Sequence, residues 1–141
     1  MNLIDTGVEK GLIRFDDSKN FITYIHQNKK RNYNNPEERV QAETFLALIL
    51  IYGYPVERIK QYVSVQMGSE SKEADIIVYS DNECESPYIL VECKKEEITD
   101  QQFNIAVEQA YSYANSGNVQ ARYVWVTSKI KNQYYEVVKE K

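Results

Sequence analysis

The sequence predicts an α/β fold with one central mixed β-sheet flanked by helices. Three observations carry that prediction. Short runs rich in β-branched and aromatic residues fall at 11–15, 21–26, 57–67, 73–79, 88–94 and 121–127. Two longer helical patterns, at about 36–52 and 100–115, interrupt them. The second lies between two apolar strands, and a connection of that length permits a parallel pair with a right-handed crossover. The chain has 141 residues, 43% hydrophobic and 27% charged, enough for one domain with its own core.

Each element has a local reason. Residues 11–15 (GLIRF) and 21–26 (FITYIH) read as short strands around a polar DDSKN turn. Residues 27–35 (QNKKRNYNN) read as a polar connection. Asn35 caps a helix whose first position takes Pro36, and Glu38 stands where a capping box places its acid. Val40, Phe45, Leu46, Leu48, Ile49 and Leu50 make that helix mostly buried, and Gly53 with Pro55 stops it. In 57–67 the alternating Ile59, Gln61, Val63 and Val65 mark one face of a strand. A turn at 68–71 leads to the strands at 73–79 and 88–94, joined by the polar loop SDNECESP. Thr99 or Asp100 caps the second helix, where Phe103, Val107, Ala110 and Ala114 share a face. Asn115 to Asn118 end it, and the tail from Asn132 to Lys139 reads as a short helix.

Composition excludes several functions. No apolar run reaches the roughly 18 residues of a membrane helix. The N-terminus lacks the layout of a signal peptide, so a cytoplasmic protein without membrane contact is expected. Cys84 and Cys93 make neither a disulfide framework nor a zinc site. His26, the one histidine, excludes a two-histidine metal motif and argues against a serine triad. Net charge is −4, whereas a protein that binds nucleic acid alone usually shows a basic surface. Lys29-Lys30-Arg31, beside Tyr33, is a local exception: a solvated loop or a phosphate contact. DNA affinity of this chain alone is expected to be weak and salt-sensitive.

The chemistry concentrates in the hairpin at 73–94. If Tyr79 opposes Tyr88, Asp75 falls opposite Glu92, with Cβ atoms about 5 Å apart on one face. Strand period two adds Lys94 to that face and sends Cys93 to the other with Ile76, Val78, Ile89 and Val91. Two acids this close repel unless a cation joins them. Lys94 alone would make an ordinary ion-pair network. A divalent cation would make a hydrolytic site, and oxygen ligands favour Mg²⁺ or Mn²⁺ over zinc.

These residues carry a resemblance. Ala74-Asp75 followed by Glu92-Cys93-Lys94 resembles the acid…Glu-x-Lys pattern of the PD-(D/E)xK nuclease superfamily. The ordered set "NPEERVQAETFLALILIYGYP", "EADIIVY", "YILVECKK" and "EQAYSYA" is similar to the N-terminal nuclease domain of type I restriction enzyme R (HsdR) subunits, over about residues 35 to 128. Gln109 and Tyr113 match the Gln-x-x-x-Tyr motif that follows the lysine in this branch.

The resemblance implies a restriction-endonuclease-like fold in a single domain over 1–141. Residues 1–34 would supply N-terminal strands and a connection, 35–128 the nuclease core and 129–141 a tail. It implies an Mg²⁺-dependent DNA endonuclease, with Mn²⁺ as a possible substitute. Asp75, Glu92 and the Cys93 carbonyl would hold the metal, and Lys94 would be the catalytic lysine. Gln109 and Tyr113 would meet the active site and the DNA backbone; without the motif they read as helix surface and core. A helix acid commonly supports the metal. Glu38 fits that position as well as it fits a capping box, and Glu37 and Glu43 are weaker candidates. Double-stranded DNA is the implied substrate, and methylase and specificity subunits, reached through a larger R subunit, are the implied partners. Departures exist: Glu73 stands where many relatives place a basic residue, and Gln61 or Tyr62 where an acid is frequent. The chain has no G-x-x-x-x-G-K-[ST] loop, hence no ATP-driven motor, so an excised domain or a stand-alone relative is expected. The competing function is a non-catalytic module that holds DNA or docks a subunit while keeping the nuclease fold.

Overall fold

The computed structural model describes residues 2–138. The chain opens with helix α1 (Leu3–Glu9) and strands β1 (Ile13–Phe15), β2 (Phe21–Tyr24) and β3 (Lys29–Asn32). Helix α2 (Pro36–Leu50) follows, then β4 (Ile59–Met67), β5 (Glu70–Tyr79), β6 (Pro87–Cys93), helix α3 (Asp100–Ala114), β7 (Tyr123–Thr127) and β8 (Asn132–Glu136). The expected mixed α/β architecture is present. The principal sheet has the order β4-β5-β6-β7-β8, parallel only between β6 and β7, with α3 as the crossover.

Four expectations need correction. First, the N-terminal strands do not join the principal sheet; β1, β2 and β3 form a separate antiparallel sheet. Second, β3 lies inside the segment read as a connection. Its polar composition hides the strand, because an edge strand can be charged on both faces. Third, the tail is β8 and not a helix. A hairpin without Gly or Pro makes it possible: Ser128 N–H donates to the Lys131 carbonyl, Lys131 N–H donates to Ser128 Oγ, and Lys129 adopts φ +81°. Lys139, included in the expected helix, lies outside the described residues. Fourth, α1 precedes everything that was read as an element.

The principal sheet is covered on both faces. On one, Ile77, Tyr79, Leu90 and Val124 pack with Phe103, Ala106, Ala110 and Tyr113 of α3. On the other, Ile76, Val78, Val91 and Cys93 pack with Val40, Phe45, Leu46 and Leu48 of α2. The small sheet closes over α2 with Ile13, Ile22 and Tyr24. Gly7 lets α1 approach, since a Cβ there would lie 2.6 Å from Leu46 Cδ2. Among the described residues, no helix is long and apolar enough to cross a membrane.

Both helices start as their sequences require. Asn35 Oδ1 accepts from Glu37 N–H at 2.9 Å. Thr99 caps α3 with a reciprocal box: its Oγ1 accepts from Gln102 N–H while Gln102 Oε1 accepts from Thr99 N–H. These bonds satisfy N–H groups that have no partner within the helix.

Candidate active site

Strands β5 and β6 pair as Ile76↔Val91, Ile77↔Leu90 and Val78↔Ile89, the expected register. A bulge at Val78/Tyr79 then sets Tyr79 against Pro87 and not against Tyr88. In the other direction the ladder stops at Ile76, one residue before Asp75 and Glu92. There the side chains take over from the strand carbonyls. Cys93 N–H donates to Asp75 Oδ2 at 2.7 Å, and Asp75 N–H donates to Glu92 Oε1 at 3.2 Å. Both carboxylates are thereby fixed at one end of the hairpin, Glu92 buried and Asp75 half-buried.

The neighbouring ladder breaks at the same level. Gln61 pairs with Ile76 and Val63 with Ala74, but Tyr62 and Asp75 between them do not pair. Tyr62 has φ +57°, a left-handed conformation that a bulky residue seldom adopts. Residues of equal parity therefore change faces across this point. Ile59 and Ile76 pack on the α2 side, whereas Val65 and Ala74 pack on the α3 side. The single face expected for Ile59, Gln61, Val63 and Val65 is thus interrupted at Tyr62. The acids sit where the β4–β5 pairing is interrupted and the β5–β6 ladder has ended.

Lys94 follows β6 directly and remains tied to β7, donating its N–H to the Thr127 carbonyl at 2.8 Å. Its half-buried Nζ lies 3.9 Å from Glu37 Oε1. Glu92 is held well above the usual carboxylate range by burial first and then by the Asp75 charge, with Lys94 opposing. Burial likewise pushes Asp75 up to about 6; the Cys93 N–H and the Lys94 charge resist, and Glu37 adds to the rise. Two carboxylates in one small volume cannot both ionise cheaply, and the Asp75 charge adds to the rise at Glu92.

The helix acids divide their work. Glu38 accepts from both the Tyr24 and Tyr62 hydroxyls through Oε2. Its expected capping-box bond is not made, because these buried hydroxyls hold the carboxylate. Burial raises its pKa, and the two tyrosines and Arg31 counter that. Glu37 faces Lys94, and Glu43 pairs with Lys129 at 3.2 Å. Sequence reasoning missed Gln41, which is buried and whose Nε2 donates to the Asp75 carbonyl at 3.1 Å. Its position three residues after Glu38 on α2 was the available signal.

From the opposite side, α3 presents Tyr113 and Gln109. Burial raises the Tyr113 phenol, the Glu92 and Asp75 charges add to the rise, and Gln109 opposes it as a hydrogen-bond partner. Gln109 is exposed and lines an open cavity of about 260 Å³ together with Glu37, Lys94, Gln102 and Ala106. Asp75, Glu92, Lys94, Gln109 and Tyr113 therefore converge, and Glu38 borders them from beneath Tyr62. No group of three or more His, Cys, Asp or Glu side chains poised for a metal occurs among the described residues. The donor set is two carboxylates, both hard oxygen ligands.

Comparison with known proteins adds one match. A family model described as type I restriction enzyme R protein N terminus covers residues 36–141, most of the chain. No curated protein and no solved structure matches. The match spans α2, the whole principal sheet and every residue of the converging set, and the chain belongs to the family of type I restriction enzyme R protein N-terminal regions.

Proposed function

We propose that this chain is the Mg²⁺-dependent endonuclease domain of a type I restriction enzyme R subunit, built on the PD-(D/E)xK plan. The observation that carries the reading is the juxtaposition of the Asp75 and Glu92 carboxylates, held by the Cys93 and Asp75 N–H groups with Lys94 beside them. Two buried carboxylates that repel each other mark a place where a divalent cation fits, since it relieves that repulsion. Asp75, Glu92 and the Cys93 carbonyl would hold it, with water completing the shell; Mn²⁺ would substitute. When bound, such an ion polarises a phosphoryl oxygen and acidifies water.

The side chains supply the rest. Lys94 Nζ, steadied by Glu37, orients the attacking water and balances negative charge as the new P–O bond forms and the opposite one breaks. Gln41 holds the Asp75 backbone in place. Gln109 and Tyr113 place the DNA strand from the α3 side. Methylase and specificity subunits would supply sequence recognition.

The test is DNA cleavage by the assembled restriction complex. Lys94→Ala abolishes cleavage while the melting temperature stays near that of the wild type. Wild-type cleavage by that variant would remove Lys94 from the mechanism. A second reading, a DNA-holding or docking module without catalysis, is favoured by one observation: Glu38 is committed to two tyrosines, which leaves two acids at the site. It predicts DNA retention without cutting at any Mg²⁺ or Mn²⁺ concentration.

A further inference from the structure

The basic run Lys29-Lys30-Arg31 is β3, and strand period two divides it. Lys29 pairs with Tyr24 and Arg31 with Ile22, both fully buried, so these two cations face inward toward β4. Lys30 pairs with Thr23 and faces outward, its Nζ 4.9 Å from the ring centroid of exposed Phe21. The Arg31 guanidinium lies 3.8 Å from the Tyr62 ring centroid, on the residue whose left-handed backbone stands beside Asp75. It makes no salt bridge among the described residues, and its one hydrogen bond goes from Nη1 to the Lys30 carbonyl. A guanidinium has five donors in a rigid fork, so most of them remain free for a phosphate. Lys29 lines an adjoining cavity of about 430 Å³ with His26, Lys60 and Gln61, in which Glu57 is the one acid. The buried Gln61 Nε2 has no hydrogen-bond partner.

We propose that Arg31 and Lys29 form a clamp for backbone phosphates of DNA on the β4 side of the catalytic pair, with Tyr62 as the platform that fixes the guanidinium. The inference rests on the reading of the site as DNA-directed. It gives Tyr62 a reason for its conformation: the ring carries Arg31 above while the hydroxyl is anchored by Glu38 below.

The test is fluorescence anisotropy with a short labelled duplex and the 141-residue chain, in EDTA, over a range of salt concentrations. Each phosphate contact contributes about 0.9 to the slope of log affinity against log salt. Arg31→Gln lowers the slope by about 0.9, and Arg31→Gln with Lys29→Gln by roughly twice that. Lys30→Gln changes the net charge equally and leaves slope and affinity unchanged. Arg31→Lys keeps the charge, loses the stacked fork and binds more weakly than the wild type. Thermal melts confirm that each variant is folded. Equal effects of Arg31→Gln and Lys30→Gln would overturn the clamp, as would no effect of either or no DNA binding by the wild type. Cleavage by the wild type in Mg²⁺ is read separately. Cutting with an unaltered Arg31→Gln slope removes the clamp and keeps the nuclease; binding through Arg31 without cutting keeps the clamp and removes the nuclease.

Discussion

At the scale of single residues, the acids at 75 and 92 oppose folding. A carboxylate whose pKa is raised in the folded state binds a proton that the unfolded chain has already released. Stability therefore falls as pH rises from the ordinary carboxylate range through about 6, where Asp75 titrates, and Glu92 extends the loss to higher pH. Asp75→Asn tests this sign. The amide oxygen still accepts the Cys93 N–H, and the amide nitrogen donates to Glu92. The variant gains about 1–3 kcal/mol over the wild type at pH 8, from one relieved buried charge, and little at pH 4. Chemical denaturation at the two values measures it. A loss of stability at pH 8 would show that the hydrogen bond outweighs the charge. The spacing of Asp75, Glu92 and Lys94 was legible because side-chain direction in a strand follows from register. The choice between Glu37 and Glu38 was not, because it depends on Tyr24 and Tyr62, which arrive from two other strands.

At the scale of elements, α2 and α3 were legible because each carries its own start signal and a buried face. Thr99 in α3 makes that dependence measurable. Thr99→Ala removes the acceptor for Gln102 N–H and lowers stability by about 1 kcal/mol, read as a drop in melting temperature. An unchanged melting temperature would mean that packing of Phe103 and Ala106 alone fixes the helix start. The edge strands were harder to read. β3 consists of four polar residues, of which Arg31 packs by cation–π contact with Tyr62, which no hydropathy pattern reveals. β8 exchanges its backbone bonds with β7 across a turn that has neither Gly nor Pro and is closed by Ser128. The rotation at Tyr62 and Asp75 was also hidden, since it comes from the pairing of two strands and not from the composition of either.

At the scale of the whole molecule, net charge and local charge point in opposite directions. The net charge of −4 argues against tight DNA binding by the chain alone, whereas β3 places the Arg31 charge over Tyr62 and near Glu38. The proposed restriction complex, which would bring DNA to the domain, reconciles the two, and the family is that of the R protein of such enzymes. The central claim is that a folded α/β frame holds Asp75 and Glu92 together so that they take a divalent ion. Calorimetric titration with Mn²⁺ tests it most directly. The wild type gives a saturable heat at one site, and Asp75→Ala and Glu92→Gln each remove it while remaining folded. A wild type without heat, or an Asp75→Ala variant that keeps it in full, would contradict the claim.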